Sequence, residues 1–207
     1  MHMDRMKRSL RPTSTIDCDN QVIKEKAKLL TEGQGSVVEE AKSLFYFVRD
    51  GIKYNPYLLT RNREEFRASA TLERGVGFCI QKAILLAALA RAVGIPSRLG
   101  FADIRNSTAP GKIIEFMGTD MFICHGYCEL YIDGAWIKAT PAFDLKMCEE
   151  NRIIPVEFDG KNDAIFHPYT LDGEPSIEYV TNYGHYDDLP LDKVADAWAR
   201  GYPSWEL

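Results

Sequence analysis

The stretch Gly75-Val76-Gly77-Phe78-Cys79 sets a thiol directly behind two glycines and ahead of a long apolar run. Glycines at that place permit a tight turn and the close approach of another backbone or a substrate. Cys79 then falls on the first turn of a helix, where unpaired N–H groups and the positive dipole end favour the thiolate, the nucleophilic form. The same N–H groups, that of Cys79 included, are placed to hold a developing oxyanion. A cysteine beside apolar residues is more often a small buried hydrophobe than a nucleophile, so the assignment depends on a partner.

That partner is His125. In Cys124-His125-Gly126-Tyr127-Cys128-Glu129-Leu130-Tyr131-Ile132, strand alternation puts the two cysteines, Gly126, Leu130 and Ile132 on a small apolar face. His125, Tyr127, Glu129 and Tyr131 share the other face. An imidazole on a rigid strand can take the proton of a thiol, which makes Cys79 with His125 the candidate pair for nucleophilic acyl chemistry. The same alternation separates His125 from Cys124 and Cys128, so a metal site built from them and Cys148 lacks convergent ligands. No metal and no cofactor is expected. His167 and His185 lie in a weakly patterned tail, and His2 is terminal.

The elements that must position this pair follow from periodicity. Apolar residues recur at helical spacing over 20–30 and 36–49, with Ala41, Leu44, Phe45 and Val48 on one face. Ser36, with Glu39 three residues on, is a cap for the second helix, and Lys53-Tyr54-Asn55-Pro56 ends it. Residues 57–71 are polar and arginine-rich and read as a surface connection. Residues 77–93 form a buried central helix, closed by Gly94 and Pro96. Strands follow at 97–105, 122–133 and 135–139, the last two joined by the hairpin dipeptide Asp133-Gly134. Helices followed by an antiparallel sheet make an α+β order. The tail from Asn151 carries turn signals at Asp159-Gly160 and Asp172-Gly173 and a short helix at 191–200.

A chain of 207 residues with 45% hydrophobic content can bury a core without disulfides. Its five cysteines are odd in number and form no Cys-x-x-Cys pair, and no secretory apolar segment follows the start; a cytoplasmic location is expected. The longest apolar run, Ala83 to Ala90, is far below the roughly 18 residues that span a bilayer. A net charge of −5 argues against a phosphate-binding surface, and the basic run Arg5–Arg11 reads as a solvated terminus. Neither nucleic acid nor membrane is an expected partner. We read residues 1–207 as one domain: a catalytic core at about 36–146, a helical part at 15–35, and an extension at 147–207 packed on it.

In order along the chain, Thr71-Leu72-Glu73-Arg74-Gly75-Val76-Gly77-Phe78-Cys79, then Ala90-Arg91-Ala92-Val93-Gly94-Ile95-Pro96-Ser97-Arg98, then His125 through Asp133-Gly134-Ala135-Trp136, resemble the core of the transglutaminase-like superfamily. The resemblance covers about 71–144. It implies a papain-like α+β fold, a Cys-His-Asp triad and, as in small bacterial members, a cysteine protease or related enzyme. The implied chemistry is attack by Cys79 on an amide carbon of a peptide or other amide substrate, giving an acyl-thioester. Water resolves it in a peptidase, amidase or deamidase, and an amine acceptor in a transferase. In much of the family the acid follows the hairpin tryptophan by four positions, which here is Thr140. Asp144 is the nearest carboxylate and is expected to orient His125, its alternative part being a turn or helix cap. The rival to an enzyme is a binding domain that keeps the fold with an incomplete triad.

Overall fold

The computed structural model describes residues 6–202, so His2 and Arg5 lie outside the described residues. Two capped helices come first. Helix α1 (Gln21–Thr31) starts at Asn20, whose side chain accepts from the Val22 N–H, and α2 (Val37–Gly51) starts at Ser36, whose hydroxyl accepts from the Glu39 N–H at 3.3 Å. Each cap satisfies a donor that the helix itself leaves open. Where a polar surface connection was expected, the chain makes a 3₁₀ turn at Arg63–Phe66 and a third helix, α3 (Ala68–Arg74). Phe66 is fully buried there, and Gly75 ends α3 in the left-handed conformation with φ 67°. One buried aromatic among arginines and glutamates is too weak a periodic signal to announce a helix of two turns.

Helix α4 (Cys79–Ala92) runs through the middle, and every residue from Cys79 to Arg91 is buried. It packs on α1, α2 and α3 on one side and on the sheet on the other. Its three large polar side chains each reach hydrogen-bond partners, as burial demands. Gln81 accepts from the Phe78 N–H and donates to the Glu65 carbonyl. Lys82 donates to the carbonyls of Arg49 and Ile52 at 2.9 and 2.6 Å, capping the end of α2. Arg91 donates to the carbonyls of Arg11, Ser97 and Asp187.

The sheet is antiparallel throughout, in the order β5-β4-β3-β6, with β3 at Ser97–Asn106, β4 at Met121–Ile132, β5 at Ala135–Ala139 and β6 at Ile177–Tyr186. A separate parallel pair joins β1 (Lys53–Tyr54) to β2 (Val76–Gly77) just before Cys79. Asp133 and Gly134 both have positive φ, 48° and 88°, as a two-residue turn between twisted strands requires. Strand β6 was not foreseen: it lies at the sheet edge with most of its residues exposed, so it lacks the alternation that marks a half-buried strand. Two short helices follow, α5 (Gly111–Met117) and α6 (Leu145–Glu150), the second against α2, and α7 (Leu191–Gly201) packs against β4. Among the described residues no helix is long and apolar enough to cross a membrane.

A close helix-to-sheet approach lies beside Cys79. A Cβ on Gly126 would come within 2.8 Å of the Ile80 side chain and 3.0 Å of its Cα. Gly126→Ala should therefore lower stability by about 1–3 kcal/mol, as overpacking does. In urea titration we expect a lower midpoint at unchanged slope, and Ile80→Ala in the same chain should return only part of the loss because the backbone contact remains.

Candidate active site

Cys79 is the first residue of α4, preceded by Phe78 in an extended conformation, and it is 8% exposed. His125, 3% exposed, sits on β4 beside the glycine that touches Ile80. The two side chains line one pocket together with Tyr54, Phe78, Phe122, Cys124, Trp198 and Tyr202. The free space left is about 20 Å³, room for about one water molecule.

In this dry setting both groups are held neutral. Burial pushes the Cys79 thiol up to about 11, although the N–H groups of Gly126, Ile80 and Cys79 itself favour the thiolate. Burial pushes His125 down to about 3. The thiolate expected from the helix end is thus absent from the closed site. A helix terminus contributes at most about 2 kcal/mol, and a rise of two pKa units opposes it with about 3 kcal/mol.

His125 Nε2 is buried without a hydrogen-bond partner. Its ring leans on Phe166 at 5.0 Å between centroids and meets Tyr179 edge-on at 6.4 Å. Phe166 in turn stacks on Phe143. Both aromatic supports of the imidazole come from the C-terminal part of the chain.

Asp144 takes the cap role instead of the expected bond to His125. Its Oδ1 accepts from the Met147 N–H at 2.9 Å, starting α6, and its Oδ2 accepts from the Tyr54 N–H at 3.0 Å. Two backbone donors thus occupy the carboxylate, and no hydrogen bond joins it to His125. The aspartate's work is to fix β1, and with it the Tyr54 ring that lines the pocket. Thr140 is 1% exposed, and its Oγ1 too has no hydrogen-bond partner.

The strand alternation expected around His125 breaks at Cys124. This residue has φ 55°, its N–H donates to Asp103 Oδ1 at 2.9 Å, and the β3–β4 register shifts between Ala102 and Ile104. A bulge of this kind re-aims a side chain, and Cys124 lines the pocket with His125 rather than facing away from it. His125, Tyr127 and Glu129 are all buried, Glu129 paired with Arg98, whose guanidinium lies 4.0 Å over Trp136. All five cysteines are free and buried. His167 and His185 are exposed.

The profile of the transglutaminase-like superfamily matches residues 24–141, more than half of the chain. The chain belongs to the transglutaminase-like superfamily. Within that superfamily's fold, one solved structure is a candidate cysteine protease from Cytophaga hutchinsonii, 18% identical, with a TM-score of 0.58 over 91% of this chain. The chain spans 49% of that structure's length. A candidate protease from Parabacteroides distasonis (15% identity, TM-score 0.42) covers 66% of this chain and 25% of its own. A TGase structure (14% identity, TM-score 0.39) covers 68% and 32%. No curated protein matches the chain.

Several pocket residues gave no signal in the transglutaminase-like sequence. Trp198 and Tyr202 lie in and just after α7, where Leu191, Val194 and Trp198 make an ordinary amphipathic stripe. Nothing in that stripe says that it closes over a cysteine. Trp198 donates from Nε1 to the Ile123 carbonyl at 2.9 Å, and the Ile123 N–H donates to the Tyr202 hydroxyl at 2.7 Å, which locks α7 to the strand just ahead of His125.

The depressed imidazole makes stability depend on pH. The folded chain keeps His125 neutral down to about pH 3, whereas the unfolded chain protonates it near 6.5. Its contribution is therefore complete above 6.5 and is lost as pH falls toward 3. Between pH 7 and 4 the loss should be about 3 kcal/mol. Chemical denaturation at stepped pH checks this: His125→Gln should flatten the acid limb relative to the native chain.

Proposed function

We propose that the chain is a cysteine-nucleophile acyl-transfer enzyme acting on amide bonds, with Cys79 as nucleophile and His125 as its base. The observation that carries this reading is the sharing of one narrow pocket by a helix-start thiol and a histidine whose Nε2 has no partner. In the reaction His125 takes the thiol proton as sulfur attacks the acyl carbon, then returns it to the leaving amine, and an acyl-thioester remains on Cys79. The N–H groups at the start of α4 face the same atom and suit the oxyanion. Water then gives a peptidase or amidase outcome, and an amine gives transfer. The superfamily's fold hosts both, so the acceptor is a matter of cleft shape.

Turnover requires the pocket to open, because a volume of about 20 Å³ admits no peptide. Two surface segments meet above it. Pro56 and Leu59 of one and Met117 of the other line the pocket, and outside it Tyr57 packs edge-on against Phe116 at 5.0 Å, both rings exposed. Opening at that contact would wet the pair and let the thiolate form. The rival reading, a binding domain without turnover, draws support from the engaged Asp144 and from the neutral pair.

A peptide vinyl sulfone and mass spectrometry separate the two readings. We expect a single adduct on Cys79, abolished by Cys79→Ala, and a 10²–10⁴-fold slower reaction in His125→Ala with circular dichroism unchanged. Labelling elsewhere, or a His125→Ala rate equal to that of the native chain, would leave the binding domain as the better account. A second measurement bears on access: Phe116→Ala should speed iodoacetamide labelling of Cys79 several-fold, and an unchanged rate would place the entrance elsewhere.

A further inference from the structure

Trp198 and Tyr202 tie the end of α7 to Ile123 of β4 beside the Cys79 pocket. The earlier turns of α7, with Val194 and Ala197, stand off from β3 and β6 and leave a cavity of about 260 Å³, against about 20 Å³ around Cys79. An apolar cavity of about 150 Å³ takes up benzene, so this one has room for a ring with a short polar arm. Its floor is apolar and closed: Phe101 is 2% exposed and Cys124 5%.

Two tyrosines of β6 wall the cavity on the sheet side, and both are held. The Tyr183 hydroxyl donates to Asp103 Oδ2 at 2.6 Å, and the other oxygen of that carboxylate accepts the Cys124 N–H. Tyr186 meets Phe101 edge-on at 5.7 Å and carries the Lys193 ammonium 5.4 Å from its ring centre. No ring has to be ordered on binding, which removes one cost of association.

The mouth carries charges that the helix leaves unpaired. Lys193, Asp196 and Arg200 line it, at spacings of three and four residues that bring opposite charges together on a helix. Lys42 with Glu39 and Lys146 with Glu150 do pair at these spacings. Among the described residues neither Lys193 nor Arg200 forms an ion pair with Asp196, and all three are exposed at the rim. A lone acid would face the Asp196 carboxylate, and a lone amine would face two cations. A group that carries an ammonium and a carboxylate side by side satisfies the whole row. In a free α-amino acid the two charges share one carbon, whereas a peptide separates them to its ends.

We infer that this cavity binds a free α-amino acid with an aromatic side chain, its ring between Phe101, Tyr183 and Ala197, its carboxylate on Arg200 and its ammonium on Asp196. Lys193 stays over Tyr186 and adds to the positive field that draws the carboxylate. Neither Cys79 nor His125 lines the cavity, so the inference is independent of the chemistry proposed for them.

The probe is L-phenylalanine. In isothermal titration calorimetry of the full chain we expect a dissociation constant below about 1 mM, which about a dozen non-hydrogen atoms can supply. 3-Phenylpropionate, without the ammonium, and phenethylamine, without the carboxylate, should each bind about tenfold more weakly or worse, as the loss of one charged hydrogen bond requires. Asp196→Asn should remove the advantage over 3-phenylpropionate, and Arg200→Gln the advantage over phenethylamine, with circular dichroism unchanged because both residues are exposed. In the native chain labelled at alanine and valine methyls, Ala197 and Val194 should shift on titration, and the shifts should persist after Cys79 is alkylated. Those native-chain shifts decide the matter if a variant does not fold. Methyl groups unmoved by phenylalanine would overturn the inference. So would 3-phenylpropionate or phenethylamine binding as tightly as phenylalanine, or binding lost once Cys79 is alkylated, which would put the ligand in the other pocket.

Discussion

A helix with no solvent face has to be held by everything around it, and α4 is held through its polar side chains as much as its apolar ones. Ala83 through Ala90 supply the greasy surface, but grease alone lets a cylinder turn about its axis. Gln81, Lys82 and Arg91 remove that freedom, because each is buried and each reaches backbone carbonyls of other segments. Lys82 lies one turn after Cys79 and caps the end of α2. Burial pushes its amine down to about 7, so it holds its two carbonyls as a donor whose charge is only marginally kept at neutral pH. With rotation and translation fixed there, the first residue of the helix has one place to be.

The opposing wall is set with similar closeness. Gly126 lets β4 touch the Ile80 backbone, and the bulge at Cys124 turns the chain immediately before His125. Glycine and the positive φ carry a conformational cost of their own, on the order of 1 kcal/mol each. What they achieve is an imidazole and a thiol in a compartment that excludes all but about one water. Exclusion has an electrostatic consequence: it drives both groups neutral, and the dipole of α4 is too weak to reverse this.

Much of that arrangement was legible beforehand. The two glycines before Cys79, the apolar helix ending at Gly94 and the Asp133-Gly134 hairpin are local signals with local physical causes, and the structure contains each. The features that were not legible depend on distant partners. Strand β6 is exposed on most of its length and shows no alternation, and α3 has only one buried aromatic ahead of it to mark it. The bulge at Cys124 depends on Asp103 accepting its N–H. Asp144 illustrates the limit well: sequence spacing puts a carboxylate near the expected place, but a cap at the start of α6 and the N–H of Tyr54 claim it first.

Arg91 has a further consequence. Its guanidinium gathers carbonyls from residues 11, 97 and 187, two of them far from α4 along the chain, and its charge is disfavoured by burial. Detaching either the leading segment or the stretch that enters α7 would strand part of a cation inside the protein. Fraying, which in most proteins is a cheap local event, is here charged to the core. The segments that carry Trp198 and Tyr202 over the cleft are therefore tied through Arg91 to the central helix, and loosening them has a cost inside the core.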